Sequence, residues 1–218
     1  MSDVNQDCPI VVIGGGGHAS VLVDMLKCQG RDILAVVSPD ELSGRSSFAG
    51  LLHLRNDEDV LQFSHEDVRL VVGLGILPGS DLKERVTKFF AEQGYEFETV
   101  ISDHAYVSPF AKLSSGVQVL ANAVVNAGVV IGSHSIINSG AVVEHDSDIG
   151  QYNHIAPGAI ICGQVKSGRN VFFGAGSVVV QNTCLARNSI VGAGATVTRS
   201  LRENETCYPS RSTTKHQK

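Results

Sequence analysis

The stretch VVEHDSDIG, residues 142 to 150, sets His145 among Glu144, Asp146 and Asp148, in a region otherwise made of small and aliphatic side chains. A free imidazole titrates at about pH 6.5, which suits it to take a proton and give it back near neutrality. A carboxylate beside it would orient the ring and favour the imidazolium formed during transfer. Asp146 can do this only if the chain turns a corner there, because successive residues of a strand point to opposite faces. Further along, ICGQV places Gly163 eighteen residues after His145, and an exposed glycine amide could stabilise an oxyanion. A base, an acid that orients it and a backbone donor are the parts of an acyl transfer. Cys162, next to that glycine, reads as a small packing residue rather than a nucleophile.

A second constellation lies near the start, where Gly14, Gly15, Gly16, Gly17 and His18 separate the apolar run PIVVIG from a helical stretch. Backbone N–H groups in such a turn, together with the positive end of the helix, can surround an anion. Gly14, Gly16 and Ala19 match the dinucleotide fingerprint only loosely, and there is room for three or four parallel strands, too few for a complete dehydrogenase domain. No metal site is expected: His134, His145 and His154 are spaced by eleven and nine residues, unlike the short spacings of zinc ligands.

The elements that must carry these residues have two different rhythms. Up to residue 100, PIVVIG, DILAVVS and VRLVVGLG read as strands. GGGHASVLVDMLKCQG reads as a helix with Val21, Leu22, Met25 and Leu26 on one face, and SDLKERVTKFFAEQG as a second helix, capped by Ser80 and stopped by Gly94. Strands alternating with helices imply a parallel sheet whose ligands bind beyond the carboxyl ends of its strands. From Val107 the period becomes six. Every sixth residue to Val197 is large and apolar except Ser167, and four places after each comes a set dominated by small or β-branched residues. Neither a helix nor an ordinary strand has that period. A three-sided solenoid does, with one large inward side chain per face and eighteen residues per coil.

Composition narrows the partners. The chain has 218 residues, 43% of them hydrophobic, and a net charge of -5. Residues 1–100 carry 16 acids and 8 bases, a net of -8, and residues 101–218 carry 6 acids and 9 bases, a net of +3. Nucleic acid is therefore a poor partner, whereas a phosphorylated small molecule fits the second half. No apolar run reaches the roughly 18 residues of a membrane helix, and the N-terminus lacks a signal-peptide pattern, so a cytoplasmic protein without membrane insertion is expected. Cysteines at 8, 28, 162, 184 and 207 show no C-x-x-C spacing and read as reduced thiols.

The hexads IGSHSI (131–136) and IGQYNH (149–154), with IGGGGHASVLVDML, VEHDSDIG, HIAPGAIICGQV and VFFGAGSVVVQN, resemble the left-handed parallel β-helix acyltransferases with hexapeptide repeats. The chain is most similar to the branch that includes sialic acid O-acetyltransferases and the N-acetyltransferases of nucleotide-linked 4-amino-4,6-dideoxy sugars. The resemblance implies an α/β nucleotide-sugar-binding domain over 1–100, a left-handed β-helix over 101–202 and a tail over 203–218. It implies acetyl-CoA as donor, a homotrimer with donor sites between adjacent β-helices, and His145, Asp146 and Gly163 as catalytic groups. Gly14, Gly16, Gly17, His18, Asp40, Gly73 and Asn138 fall where the family holds its acceptor, although SPDE around Asp40 matches the usual acidic pair imperfectly. Relatives place an arginine soon after the third strand, and here Arg85 comes later. His154, Gly174, Ala175, Gly176 and Gly192 fall on the donor side, with Arg169, Arg187 and Arg199 as candidates for the CoA phosphates. The family's G-x-P-A terminus is replaced by Tyr208-Pro209-Ser210. The resemblance implies N-acetylation of a nucleotide-linked amino sugar, with O-acetylation of a sugar and a non-catalytic β-helix scaffold as the alternatives.

Overall fold

The computed structural model describes residues 8–42 and 44–210; residues 211–218, the end of the expected tail, lie outside them. Strands β1 (Ile10–Ile13), β2 (Ile33–Val37), β3 (Leu52–Leu54) and β4 (Arg69–Val72) form a parallel sheet in the order β3-β2-β1-β4. β1 is buried along its length, as a central parallel strand with both faces covered must be. β3 was not among the expected strands, since LHL is short and its histidine interrupts the apolar run. Helix α1 (Gly17–Cys28) buries Ala19, Leu22, Val23, Met25 and Leu26. Val21, expected on that face, is 43% exposed: a stripe through 19, 22, 23 and 26 puts position 21 on the far side. Helix α2 (Leu82–Glu92) begins one residue later than a Ser80 cap would set it, with Asp81 at the N-cap. The Ser80 hydroxyl instead accepts the Leu82 N–H at 3.4 Å. Gly94, at φ +88°, turns the chain out of α2.

From Val100–Ile101 to Thr206–Cys207 the chain makes eighteen two-residue strands in three parallel sheets. Partners are eighteen residues apart, as in Ile136 with His154 and His154 with Phe172. The final coil is shorter by two, pairing Ile190 with Thr206, so the β-helix runs to Cys207 and a boundary at 202 would cut through its last turn. Ile131, Ile137, Val143, Ile149, Ile155, Ile161 and Phe173 fill the interior, with Ala123, Ala141 and Ala159 beside them. Ser167, the break in the apolar register, accepts a hydrogen bond from Asn153 Nδ2 at 2.6 Å and another from Gly150 N–H at 3.2 Å. An inward asparagine and serine thus satisfy one another inside the coil.

The three faces differ. Seven strands, including 118–119, 136–137 and 154–155, make the docking face, against which the α/β unit packs. Leu120, Ile136 and Tyr152 share one core with Ile10, Val12 and Val71. Six strands, including 124–125, 142–143 and 160–161, make a second face whose outward column is Tyr106, Val124, Val142, Ile160, Val178 and Thr196, none of them buried. The third face, five strands, points Lys112, Val130, Asp148, Lys166 and Cys184 outward. Among the described residues no helix is long and apolar enough to cross a membrane, and all five cysteines are free.

Candidate active site

His145 and Asp146 lie at the corner between the second and third faces. Asp146 adopts φ +58°, the left-handed conformation that asparagine and aspartate enter more readily than most residues. That reversal removes the alternation that would part the two side chains. Asp146 Oδ2 accepts a hydrogen bond from His145 Nδ1 at 2.9 Å, so the proton on the neutral ring sits at Nδ1 and Nε2 carries the lone pair. Both side chains are well exposed, at 59% and 61%. One coil above, a Cβ built on Gly163 would stand 2.7 Å from His145 Nε2; the imidazole fills the space that any side chain at 163 would need. The flanking amides are used, with Cys162 N–H donating to Val179 and Gln164 N–H to His145. The Gly163 N–H makes no hydrogen bond among the described residues. A base with a fixed tautomer and a free amide beside it can serve a nucleophile that loses a proton as its target gains an oxyanion.

The residues expected on the acceptor side divide into two groups. Gly16 and Gly17 are exposed at the start of α1, where no side chain caps the helix and a Cβ on Gly16 would meet nothing within 4 Å. Asp40 is exposed in the loop after β2. Gly14 and Gly73, by contrast, permit close packing. Gly14 takes φ +113° against Leu74, and a Cβ on Gly73 would lie 2.6 Å from Ala19 Cβ, where β4 presses on α1. His18 points into the domain junction, where its Nε2–H donates to Gln118 Oε1 at 2.7 Å and Gln118 Nε2 donates to the Val72 carbonyl at 2.8 Å. Burial, the largest cause, lowers its pKa to about 4.

Asn138 and His154 meet on the docking face. His154 Nδ1–H donates to the Ile76 carbonyl at 2.9 Å, leaving Nε2 to accept from Asn138 Nδ2 at 3.1 Å. Burial lowers the pKa of this histidine too, and the Ile76 bond opposes the shift. His154 packs edge-on against Phe172, and from there a cavity of about 640 Å³ opens, lined by residues that include Ile76, Phe172, Ile190, Arg85 and Arg187. Ala175 and Gly176 are exposed at the next corner, whereas Gly174 is buried with backbone of the following coil, at Ala193, pressed against it; Gly192 has Cys207 and Pro209 beside it.

Of the three arginines, Arg169 is committed elsewhere. It pairs with Glu84 and lies 4.7 Å from the centroid of Tyr152, locking α2 to the β-helix. Arg199 holds Glu205 at 2.7 Å. Among the described residues Arg187 makes one ionic contact, 3.6 Å from Glu203, and faces the cavity, while Arg85 pairs with Asp81 at 3.2 Å.

The domain junction itself went unread in the sequence. Tyr152 stacks on His134 and shares a 2.7 Å bond with Thr87; Lys83, whose charge acts on His134, is 4% exposed with no partner for its amine among the described residues. Burial brings Lys83 down to about 7 and His134 to about 4. An eighteen-residue count through Gln118, Ile136 and His154 would have flagged a half-apolar outward column, the only linear trace of this contact. No group of three or more His, Cys, Asp or Glu residues is arranged to hold a metal among the described residues.

The corner that carries His145 is opposite the docking face, so the glycine-rich turn and the imidazole stand on opposite sides of the β-helix. Comparison with known proteins gives this arrangement a context. Residues 9–78 match the PglD N-terminal domain and residues 110–145 the bacterial transferase hexapeptide (six repeats). A crystal structure of a mutant perosamine N-acetyltransferase from Caulobacter crescentus, in complex with CoA and GDP-perosamine, is 31% identical over 92% of this chain and 93% of that one, with a TM-score of 0.82. The acetyltransferase domain of PglB from Neisseria gonorrhoeae, in complex with acetyl coenzyme A, is 26% identical over 94% of this chain and 98% of that one, with a TM-score of 0.84. WeeI from Acinetobacter baumannii, 21% identical over 91% and 95%, shares the fold with a TM-score of 0.79.

The three-sided coil, with these matches, defines a hexapeptide-repeat acyltransferase, wound left-handed like its relatives. The chain belongs to the left-handed β-helix sugar acetyltransferases, the family of the sialic acid O-acetyltransferases and of the N-acetyltransferases of nucleotide-linked 4-amino-4,6-dideoxy sugars.

Proposed function

We propose that this sugar acetyltransferase moves the acetyl group of acetyl-CoA onto the amine of a nucleotide-linked 4-amino-4,6-dideoxy sugar, with His145 as general base. The observation that carries the reading is the His145–Asp146 bond of 2.9 Å with Gly163 stacked over the ring. The amine nitrogen attacks the thioester carbonyl as Nε2 of His145 takes its proton, and the free amide of Gly163 receives the oxygen. Collapse breaks the carbon–sulfur bond, and the thiolate of CoA leaves with the proton from the imidazolium. No acyl-enzyme is formed, so Cys162 has no covalent role. The similar perosamine N-acetyltransferase, in complex with CoA and GDP-perosamine, favours transfer to nitrogen.

The acceptor is held at the open backbone of Gly16 and Gly17, with Asp40 nearby, and the donor runs past the exposed corner at Ala175 and Gly176. These surfaces and His145 stand on different sides of one β-helix, so a complete site needs a neighbouring copy that brings its own corner. The apolar members of the outward column, Tyr106, Val124, Val142, Ile160 and Val178, form the face that would bury in a homotrimer.

The test mixes acetyl-CoA with a panel of UDP-, dTDP- and GDP-linked amino sugars and follows thiol release, with His145→Ala alongside. Turnover on one amino sugar, lost in the variant while acetyl-CoA still binds, is the expected result. Unchanged turnover in His145→Ala rejects the assignment of the base.

A further inference from the structure

Residues that turn the corners of this β-helix in the left-handed conformation lay their side chains back over the preceding coil. His134 does so over Gly116, eighteen residues earlier, where a Cβ would stand 2.5 Å from its Nδ1. Tyr152 then stacks on His134 with ring centroids 5.0 Å apart. Gly128 bears the same relation to Asp146. It has φ +76°, and a Cβ built on it would overlap Asp146 Oδ1 and come within 3.4 Å of Cγ. The two catalytic side chains therefore lean in opposite directions, the carboxylate down over Gly128 and the imidazole up against Gly163.

We propose that Gly128 is a positioning residue for acetyl transfer: its bare backbone is the seat on which the Asp146 carboxylate lies so that Oδ2 faces His145 Nδ1. The proposal rests on the reading of His145 as the base. Asp146 makes one side-chain hydrogen bond among the described residues, the one to His145, and its side chain is 61% exposed. Among the described residues nothing else holds the carboxylate in place once the seat is filled. A displaced Oδ1 would rotate into solvent and take Oδ2 with it, releasing the ring to exchange tautomers. Nε2 would then carry the proton in part of the population and could not accept one from the amine.

The conformation of the glycine can be separated from its emptiness. Asn122, Asn170, Asn182, Asn188 and Asn204 occupy the left-handed region at φ 58–59°, so Gly128→Asn keeps a backbone this chain already uses and adds only the side chain. Gly30→Asn is the matched control: Gly30 has φ +68° with nothing within 4 Å of a built Cβ, in a turn remote from the corner. The expected result is a fall in kcat of about tenfold for Gly128→Asn, with KM for both substrates held within about twofold. Gly30→Asn keeps wild-type turnover. Adding Asp146→Asn to Gly128→Asn costs little more than Asp146→Asn alone, since both act through one bond. Nitrogen NMR of the His145 ring reports the tautomer directly, and Gly128→Asn should shift it from Nδ1–H toward Nε2–H. Should Gly128→Asn not fold, Gly128→Ala carries the same Cβ overlap and is measured in its place.

Wild-type kcat and an unchanged tautomer in the Gly128 variants, with His145→Ala inactive, overturn the positioning role and leave the base standing. Full additivity of Gly128→Asn with Asp146→Asn overturns it as well. Activity retained in His145→Ala would remove both readings together.

Discussion

Gly163→Ala isolates the contact on which the proposed chemistry depends. Gly163 lies outside the left-handed region, so alanine introduces no backbone strain, and the whole effect is the methyl group. That methyl would sit 2.7 Å from Nε2, 2.8 Å from Cε1 and 3.2 Å from Cδ2 of His145. Ordinary contact begins at 3.4 Å, so 3.4 minus 2.7 requires the nitrogen to retreat by 0.7 Å. The ring can make this movement, because its side chain is 59% exposed. Folding should therefore be preserved, with a melting temperature within about 2 °C of wild type, as for a surface change of under ~0.5 kcal/mol. Catalysis should not be preserved: a misplacement of about 1 Å can cost on the order of a hundredfold. A drop in kcat of about ten- to a hundredfold, with KM for acetyl-CoA little changed, is expected in the thiol-release assay. An alanine variant with at least about half the wild-type kcat would refute the reasoning, since it would mean that neither the ring's place nor its distance from the amide limits the reaction.

Two further outcomes follow from the junction and the apolar face. His18 and His134 titrate at about 4 in the folded chain, chiefly because they are buried, against 6.5 when exposed. As pH falls from 6.5 toward 4 the unfolded chain binds more protons than the folded one, so stability is lost across that window, by about 1.4 kcal/mol per pH unit for each histidine. Thermal melts from neutral pH downward should show this loss, reduced in His134→Phe; a melting temperature flat through the window would contradict it. Ile160→Glu puts a charge within the apolar outward column of the second face, and light scattering should find a smaller species with no turnover. A fully active variant of unchanged mass would show that this face is not where copies meet.

The repeat was legible because a β-helix has local rules. Hexads within the β-helix pack against those one coil away, eighteen residues along until the shorter last coil, so the register is written in the chain at a nearly fixed interval. The pairing of His145 with Gly163 follows from that count, and the corner needed for Asp146 to reach the ring is supplied by its left-handed backbone at φ +58°. The N-terminal sheet was legible for a similar reason, apart from β3, whose three residues are too few to show a pattern.

Contacts between the two units were not legible. Nothing in HASVLVDML indicates that His18 binds Gln118, a hundred residues away, and nothing around Lys83 indicates that it is buried with no partner among the described residues. Gly73 and Gly174, expected on the acceptor and donor sides, are close-packed, because a glycine's sequence context does not say whether solvent or another chain segment lies beyond it. Periodicity determined the solenoid and placed the corner that carries His145, since those depend on neighbours at a constant spacing. Which surfaces remain free, which histidines are buried neutral and which side of the β-helix the first domain covers were decided by tertiary packing alone, through contacts whose sequence separation follows no period.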